Sequence, residues 1–354
     1  MPILQKTSQI TEQVLSALAS AEQEILFQMY YVDNDSIFAA YANILIQKAK
    51  QGVIVYCLFD ALGASQVSGS SVEQDLIQAG VHLQYFNWLT PWANKNKKIL
   101  YFRNHKRSLI VDKKTLHVGG WCVGEKTEHW TEGYIQHTDT ELIHHATEDF
   151  WDMYRYAHKT ALRFRQQHAH EKLPGKETSY THQTPTLHGR HTYYTYKKLL
   201  DQSTQKVILV TPYFAPIREL RKSIYKAQKR RAEVEIFLPK KTDLWLADLV
   251  AKTYIHKLLK QGVSVYFSDS MVHAKVSMFD STLYVGSMNL DAVSLRYNFE
   301  NGIYTKDLSS VQEFMQDVET LRHTCEKITL ESWKTRSFYE RFLDRFMKLF
   351  RAFV

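Results

Sequence analysis

Two similar α/β halves, built on mixed, mostly parallel sheets and related by a pseudo-two-fold axis with the site between them, are the fold this chain predicts. Three observations lead there. At 354 residues the chain is too long for one core and suits two domains of ordinary size. The same order of apolar segments occurs twice at long range. Short β-branched and aromatic runs alternate with helical stretches, which is the pattern of α/β units.

Taken in order, EILFQMYYVDND (24–35) resembles KVILVTPYFAP (206–216), each an apolar run ending in Tyr-Tyr or Tyr-Phe. QGVIVYCLFD (51–60) answers to AEVEIFLP (232–239), and AGVHLQYF (79–86) to QGVSVYF (261–267). A further strand then carries polar residues in both copies: NHKRSLIVD (104–112) lines up with VHAKVSMFD (272–280), with a histidine-to-aspartate interval of seven in each. LHVGG (116–120) and LYVGS (283–287) follow, the small pair beginning fourteen residues past His105 and thirteen past His273, so one inserted residue separates the copies.

The halves are expected over 1–165 and 192–331. Residues 166–191 hold Pro and Gly without an apolar period, as a surface connector would. That connector's five histidines show no metal-ligand spacing. Residues 332–354 are expected to form a basic amphipathic helix.

An apolar content of 44% with 13 Gly and 7 Pro excludes disordered and fibrous classes. Forty-five basic against 37 acidic residues leave +8, favouring anionic partners such as nucleic acid, acidic lipid headgroups or phosphate esters. Cys57, Cys122 and Cys325 make neither a disulfide framework nor a zinc site and fit a reducing cytosol. The N-terminal stretch lacks the apolar core and cleavage site of a signal peptide, and no apolar window is long enough to span a bilayer, so membrane contact is expected to be peripheral.

On an extended segment, side chains at i and i+2 share a face, so His105 projects with Arg107 and His273 with Lys275, while Asp112 and Asp280 point away. If the pseudo-two-fold joins the two segments, the cleft receives two imidazoles and two cations, a set suited to phosphate. One imidazole attacks phosphorus to give a phosphohistidine, and the other protonates the departing alkoxide and later deprotonates the incoming alcohol. Arg107 and Lys275 neutralise the phosphoryl oxygens, so neither a metal nor an organic cofactor is expected. Glu300, in RYNFEN, and Asp139, in HTDTEL, are expected to hold one ring nitrogen of each histidine.

These residues carry a resemblance. The doubled His-x-Lys-x4-Asp pattern, each copy followed by a Gly-Gly or Gly-Ser turn, resembles the phospholipase D superfamily, and VGSMNLDAVSLRYNFE (285–300) resembles its bacterial cardiolipin synthase branch. The resemblance runs over nearly the whole chain, through VTPYFAP, FDALGAS (59–65) and HTDTEL. It implies two phospholipase D-like halves, with His105 and His273 as nucleophile and general acid/base, the N-terminal one being the family's usual nucleophile. It further implies phosphate contacts from Arg107, Lys275, Asn289 and Ser287, and a place in the local fold for Asp112 and Asp280. Two departures stand out: Arg107 occupies the family's lysine position, and Cys122 stands where the second half has Asn289. A guanidinium keeps the charge but is bulkier than an ammonium group. Cys122 is expected to be a small buried hydrophobe.

The tail ESWKTRSFYERFLDRFMKLFRAFV (331–354) places Phe338, Phe342, Phe346, Leu349, Phe350 and Phe353 at three- and four-residue steps, and its six basic residues against three acidic ones give 6 − 3 = +3. That is the pattern of an interfacial helix suited to an anionic bilayer, and equally of a helix docked on its own domain. PWANKNKK (91–98) joins a tryptophan to three lysines, as a lip holding anionic headgroups would. The expected activity is a cardiolipin synthase-like phosphatidyl transfer from phosphatidylglycerol to a second lipid at the cytoplasmic face of the inner membrane. The alternative is a phosphodiesterase or nuclease of the same superfamily, but no base-stacking aromatics cluster beside a basic groove, so nucleic acid is not the expected partner.

Overall fold

The computed structural model describes residues 2–87, 102–158, 176–186 and 189–348. In the first half, strands β1 (Leu4–Lys6), β2 (Glu24–Met29), β3 (Ile54–Asp60), β4 (His82–Phe86), β5 (Ser108–Val111), β6 (Thr115–Gly119) and β7 (Thr131–His137) form one sheet in the order β1-β7-β6-β5-β2-β3-β4. Helices α1 (Thr7–Ala19), α2 (Ser36–Lys50), α3 (Ser71–Gln78) and α4 (Thr140–His158) accompany it. In the second half, β8 (Thr178–Gln183), β9 (Lys206–Val210), β11 (Glu233–Pro239), β12 (Ser264–Ser268), β13 (Val276–Phe279), β14 (Thr282–Gly286), β16 (Glu300–Thr305) and β17 (Glu326–Ile328) order as β17-β12-β11-β9-β13-β14-β16-β8. A separate short parallel pair joins β10 (Phe214–Ala215) to β15 (Leu290–Asp291). The helices here are α5 (His191–Gln202), α6 (Arg218–Lys229), α7 (Trp245–Lys260), α8 (Ala292–Arg296), α9 (Leu308–Thr324), α10 (Leu330–Lys334) and α11 (Phe338–Met347).

Both sheets are mixed, but the parallel share is smaller than the sequence suggested. Only β2-β3-β4 and β9-β11-β12 run parallel, and the strands from each motif onward pair antiparallel. The reason is the tight turn after each motif strand. Residues 112–114 link β5 to β6 and residues 280–281 link β13 to β14, and so short a link joins only antiparallel neighbours. The inserted residue lies in that turn.

Central strands are apolar without alternation because both of their faces are covered; in β2, Ile25 to Met29 are all buried. One core packs α1, α2 and α3 on the outer face of the first sheet, and another packs α5, α6 and α7 on the second. The third lies between the halves: Leu26, Ile110 and Val118 meet Val210, Val276 and Val285, with Phe150 of α4 and Phe314 of α9 in the same cluster. The inner faces of both sheets thus build one shared core, which fixes the halves against each other.

Two segments differ from expectation. The stretch read as a connector contains β8, whose six residues pair antiparallel with all of β16, from Glu300↔Gln183 to Thr305↔Thr178. The tail is two short helices, α10 and α11, rather than one, with 349–354 outside the described residues, as is PWANKNKK. On α11, Met347 is buried and Leu343 packs on the core, while Phe338, Tyr339, Phe342 and Phe346 face outward.

Candidate active site

Each histidine motif leads into its strand by an extended segment that bridges to the other half. Asn104 pairs with Phe299 and Val272 with Thr131, both in parallel. The His105 N–H donates to the Phe299 carbonyl (3.0 Å), and the His273 N–H to the Thr131 carbonyl (2.7 Å). One residue beyond each acceptor stands a buried glutamate. The crossing therefore delivers Glu300 of the second half to His105 and Glu132 of the first half to His273. His105 Nδ1 lies 3.0 Å from both Glu300 carboxylate oxygens, and His273 Nδ1 lies 2.6 Å from Glu132 Oε1.

The acids are themselves held. Glu300 accepts from the Ser287 and Ser294 hydroxyls, with Ser294 positioned by the short α8. Ser287, expected to contact phosphate, thus donates to Glu300 and accepts from the Asn301 N–H (2.9 Å). The small residue of the first half, Gly120, has a different reason: a Cβ there would lie 2.7 Å from Glu132 Oε2 and 3.0 Å from Lys275 Cδ, so only glycine lets the second half's lysine reach the first half's acid.

The cations sit where shared-face geometry put them. Arg107 Nη2 is 3.3 Å from His105 Nε2 while Nη1 donates to the His105 carbonyl (3.0 Å). Lys275 Nζ is 3.0 Å from His273 Nε2 and donates to the His273 carbonyl (2.6 Å). Asn301 brackets the Arg107 backbone, accepting from its N–H (3.2 Å) and donating to its carbonyl (3.3 Å). Asn289 is buried, and its Oδ1 has no protein partner among the described residues. Tyr30 packs edge-on against His105, and Trp130 and Tyr213 pack against His273.

Burial pushes His105 down to about 4, helped by Arg107 and Lys275 and opposed by Glu300. Burial together with Lys275 and Arg107 drives His273 well below the usual imidazole range. Lys275 is pushed down to about 8, chiefly by burial and against the pull of Glu132, whereas burial lifts Glu132 to about 7. Both imidazoles are therefore neutral at rest. With Nδ1 donating to a carboxylate, His105 turns an unprotonated Nε2 toward the cleft.

Asp112 and Asp280 close the turns after the motif strands with positive φ of 52° and 51°. Asp112 accepts from the N–H groups of Glu22, Gln23 and Glu24, and Asp280 from those of Thr204, Gln205 and Lys206, so both tie down the start of the neighbouring central strand. Asp139 corrects an expectation. It is exposed and caps α4, accepting from the N–H groups of Glu141 and Leu142; the acid on His273 is Glu132. The signal for Glu132 was in the repeat, since it lies 27 residues past His105, the interval that separates Glu300 from His273.

Cys122 is buried 3.8 Å from Arg107 Nη2, and burial raises its thiol, which leaves it a poor nucleophile. Its Sγ, a Glu132 oxygen and a His273 nitrogen lie within 4.8 Å of one another, a set a thiophilic ion would use, but Lys275 Nζ and the Arg107 guanidinium already crowd it. Two cations there oppose a third.

A second buried group was not foreseen. Lys106, between the two site residues, turns the other way onto Asp149 of α4 (2.5 Å), which also accepts from Tyr180 (2.8 Å) and lies 3.0 Å from His182, both on β8. Despite burial, Lys106 and the hydrogen bonds from Lys106 and His182 hold Asp149 down far below the usual carboxylate range.

Two neutral histidines, each held by the other half's glutamate and each beside a cation, at the meeting of two like sheets, define a phospholipase D-type enzyme. A family model described as "Cardiolipin synthase, PLD-like domain" matches residues 14–154 and 196–322, one segment per half, and the chain belongs to that family. "Cardiolipin synthase 1" of Bacillus cereus is 27% identical over 371 residues, covering 98% of this chain and 71% of the relative. "Major cardiolipin synthase ClsA" of Bacillus subtilis is 27% identical over 352 residues, covering 96% and 72%. Among solved structures, phosphatidylserine synthase of Haemophilus influenzae superposes with a TM-score of 0.76 at 14% identity over 99% of this chain and 93% of its own, a likeness of fold.

Proposed function

We propose that the protein is a cardiolipin synthase-like phosphatidyltransferase that moves a phosphatidyl group from phosphatidylglycerol to the hydroxyl of a second phospholipid. The observation that carries this reading is the crossed pairing of His105 with Glu300 and His273 with Glu132, which makes one two-histidine phosphoryl-transfer site from both halves.

His105 Nε2 attacks phosphorus, the N–P bond forms and the P–O bond to glycerol breaks, with the proton on the departing oxygen coming from His273. His273 is neutral at rest because it is buried and because Lys275 and Arg107 stand beside it; a phosphate anion seated between those cations offsets them and raises its proton affinity, so it takes up a proton from solvent as substrate binds. The acceptor hydroxyl then returns a proton to His273 as its oxygen displaces His105. Arg107 and Lys275 hold the phosphoryl oxygens, with the Nδ2 of Asn289 as a further donor.

No helix among the described residues is long and apolar enough to cross a membrane. The exposed aromatic face of α11, with Arg341 and Arg345 beside it, supports peripheral contact with an anionic lipid surface, on this reading the cytoplasmic face of the inner membrane. The test is incubation of purified protein with phosphatidylglycerol vesicles and chelator, with lipid products followed by mass spectrometry. Cardiolipin and glycerol, lost in His105→Ala and in His273→Ala, are expected. Phosphatidic acid alone would replace transfer with hydrolysis.

A further inference from the structure

The largest apolar side chain on the surface of the second half is Trp245, 72% exposed at the first position of α7, between Leu244 at 52% and Leu246 at 41%. Three consecutive exposed apolar residues with a tryptophan at the centre have no reason to exist on a surface that meets only water.

Their place matters more than their exposure. Asp243, the preceding residue, accepts from the Tyr213 hydroxyl (2.5 Å), and the Tyr213 ring packs on His273 at 5.9 Å between centroids. The loop after β3 offers a smaller counterpart: Leu62 is 44% exposed, and its neighbour Gly63 lies against the Tyr30 backbone, whose ring packs on His105. An exposed apolar side chain thus stands a short chain of contacts away from each histidine, one in each half.

We propose that Leu244, Trp245 and Leu246 form a rim that enters the interfacial layer of an anionic phospholipid bilayer and turns the mouth of the site toward it. The occupant follows from three features, the first of which rests on the reading of a lipid substrate. A phosphodiester at the bilayer surface reaches two buried histidines only if the mouth lies against the lipid. Tryptophan favours the headgroup boundary, where its ring is desolvated and its N–H stays hydrated. Charge is complementary: Lys241 is exposed in the same loop with no ion pair among the described residues, and α11, which packs along α7, presents Phe338, Tyr339, Phe342, Arg341 and Arg345 outward. The rim and α11 make two points of attachment, which fix an orientation where one would not.

The test uses the whole protein and phosphatidylglycerol vesicles whose acyl chains are brominated near the headgroup. Quenching of tryptophan fluorescence is expected in the unaltered protein, with most of it lost in Trp245→Phe. The double variant Leu244→Gln, Trp245→Gln changes only exposed side chains. It is expected to lower vesicle affinity and vesicle turnover by about tenfold while turnover of a short-chain, monomeric phosphatidylglycerol stays within about twofold. Unchanged quenching in Trp245→Phe, or vesicle affinity within about twofold in the double variant, would overturn the proposal. Quenching through Trp245 with no turnover of either lipid form would uphold the docking surface and sink the substrate reading instead.

Discussion

Glu132 and Glu300 each hold the Nδ1 of one histidine, and removing their charge while keeping their shape is the sharpest probe of that role. Glu132→Gln and Glu300→Gln are each expected to lower kcat about a hundredfold or more with little change in KM, measured on phosphatidylglycerol vesicles. Lys275 gives the pH dependence. Pushed down to about 8, it is charged below that pH and neutral above it, so kcat/KM is expected to fall as pH rises through about 8. In Lys275→Arg the alkaline limb should move up beyond 10, since a guanidinium keeps its charge; a limb that stays near 8 belongs to another group. Arg107 and Cys122 touch, so they should couple: Arg107→Lys alone loses activity and Arg107→Lys with Cys122→Asn, which copies the second half, recovers part of it. At this scale His105, Arg107, His273 and Lys275 were legible because a doubled motif at matched spacing needs no structure to be noticed. Glu132 was legible in principle from its 27-residue interval and was passed over for Asp139, because a carboxylate's distance along the chain does not reveal whether it faces inward or caps a helix.

Among the elements, the motif hairpins are held by their aspartates. Asp112 and Asp280 each accept three backbone N–H groups from the strand start beside them, at a positive φ that asparagine tolerates. Asp280→Asn should therefore cost about 1–3 kcal/mol in denaturant unfolding and leave the pH profile of turnover in place. The strands legible in the sequence were those enclosed on both faces, such as β2 and β9, whose residues are almost all apolar. β8 was not, because TSYTHQ lies at a sheet edge and mixes polar and aromatic residues, and its place there comes from pairing with β16 and from the Asp149 contacts of Tyr180 and His182 rather than from its own hydrophobicity.

For the molecule as a whole, the two halves make one unit, joined by a shared core, by two crossed bridges and by the contacts of Asp149 on α4 with Tyr180 and His182 on β8. Lys106→Ala would leave Asp149 buried with only His182 and Tyr180 against it. A loss of about 3–5 kcal/mol is expected, read as a lower midpoint in a single unfolding transition. The repeat predicted two halves and an axis, but not which acid serves which histidine, since intervals along a chain say nothing of crossing between copies. The central claim is that this composite site works through a covalent bond at His105. The most direct test is to turn over phosphatidylglycerol, quench with neutral denaturant and map the protein by peptide mass spectrometry. A phosphatidyl adduct on the His105 peptide, absent from His105→Ala and from protein without lipid, is the predicted result. An adduct confined to His273, or full turnover in His105→Ala, would contradict it.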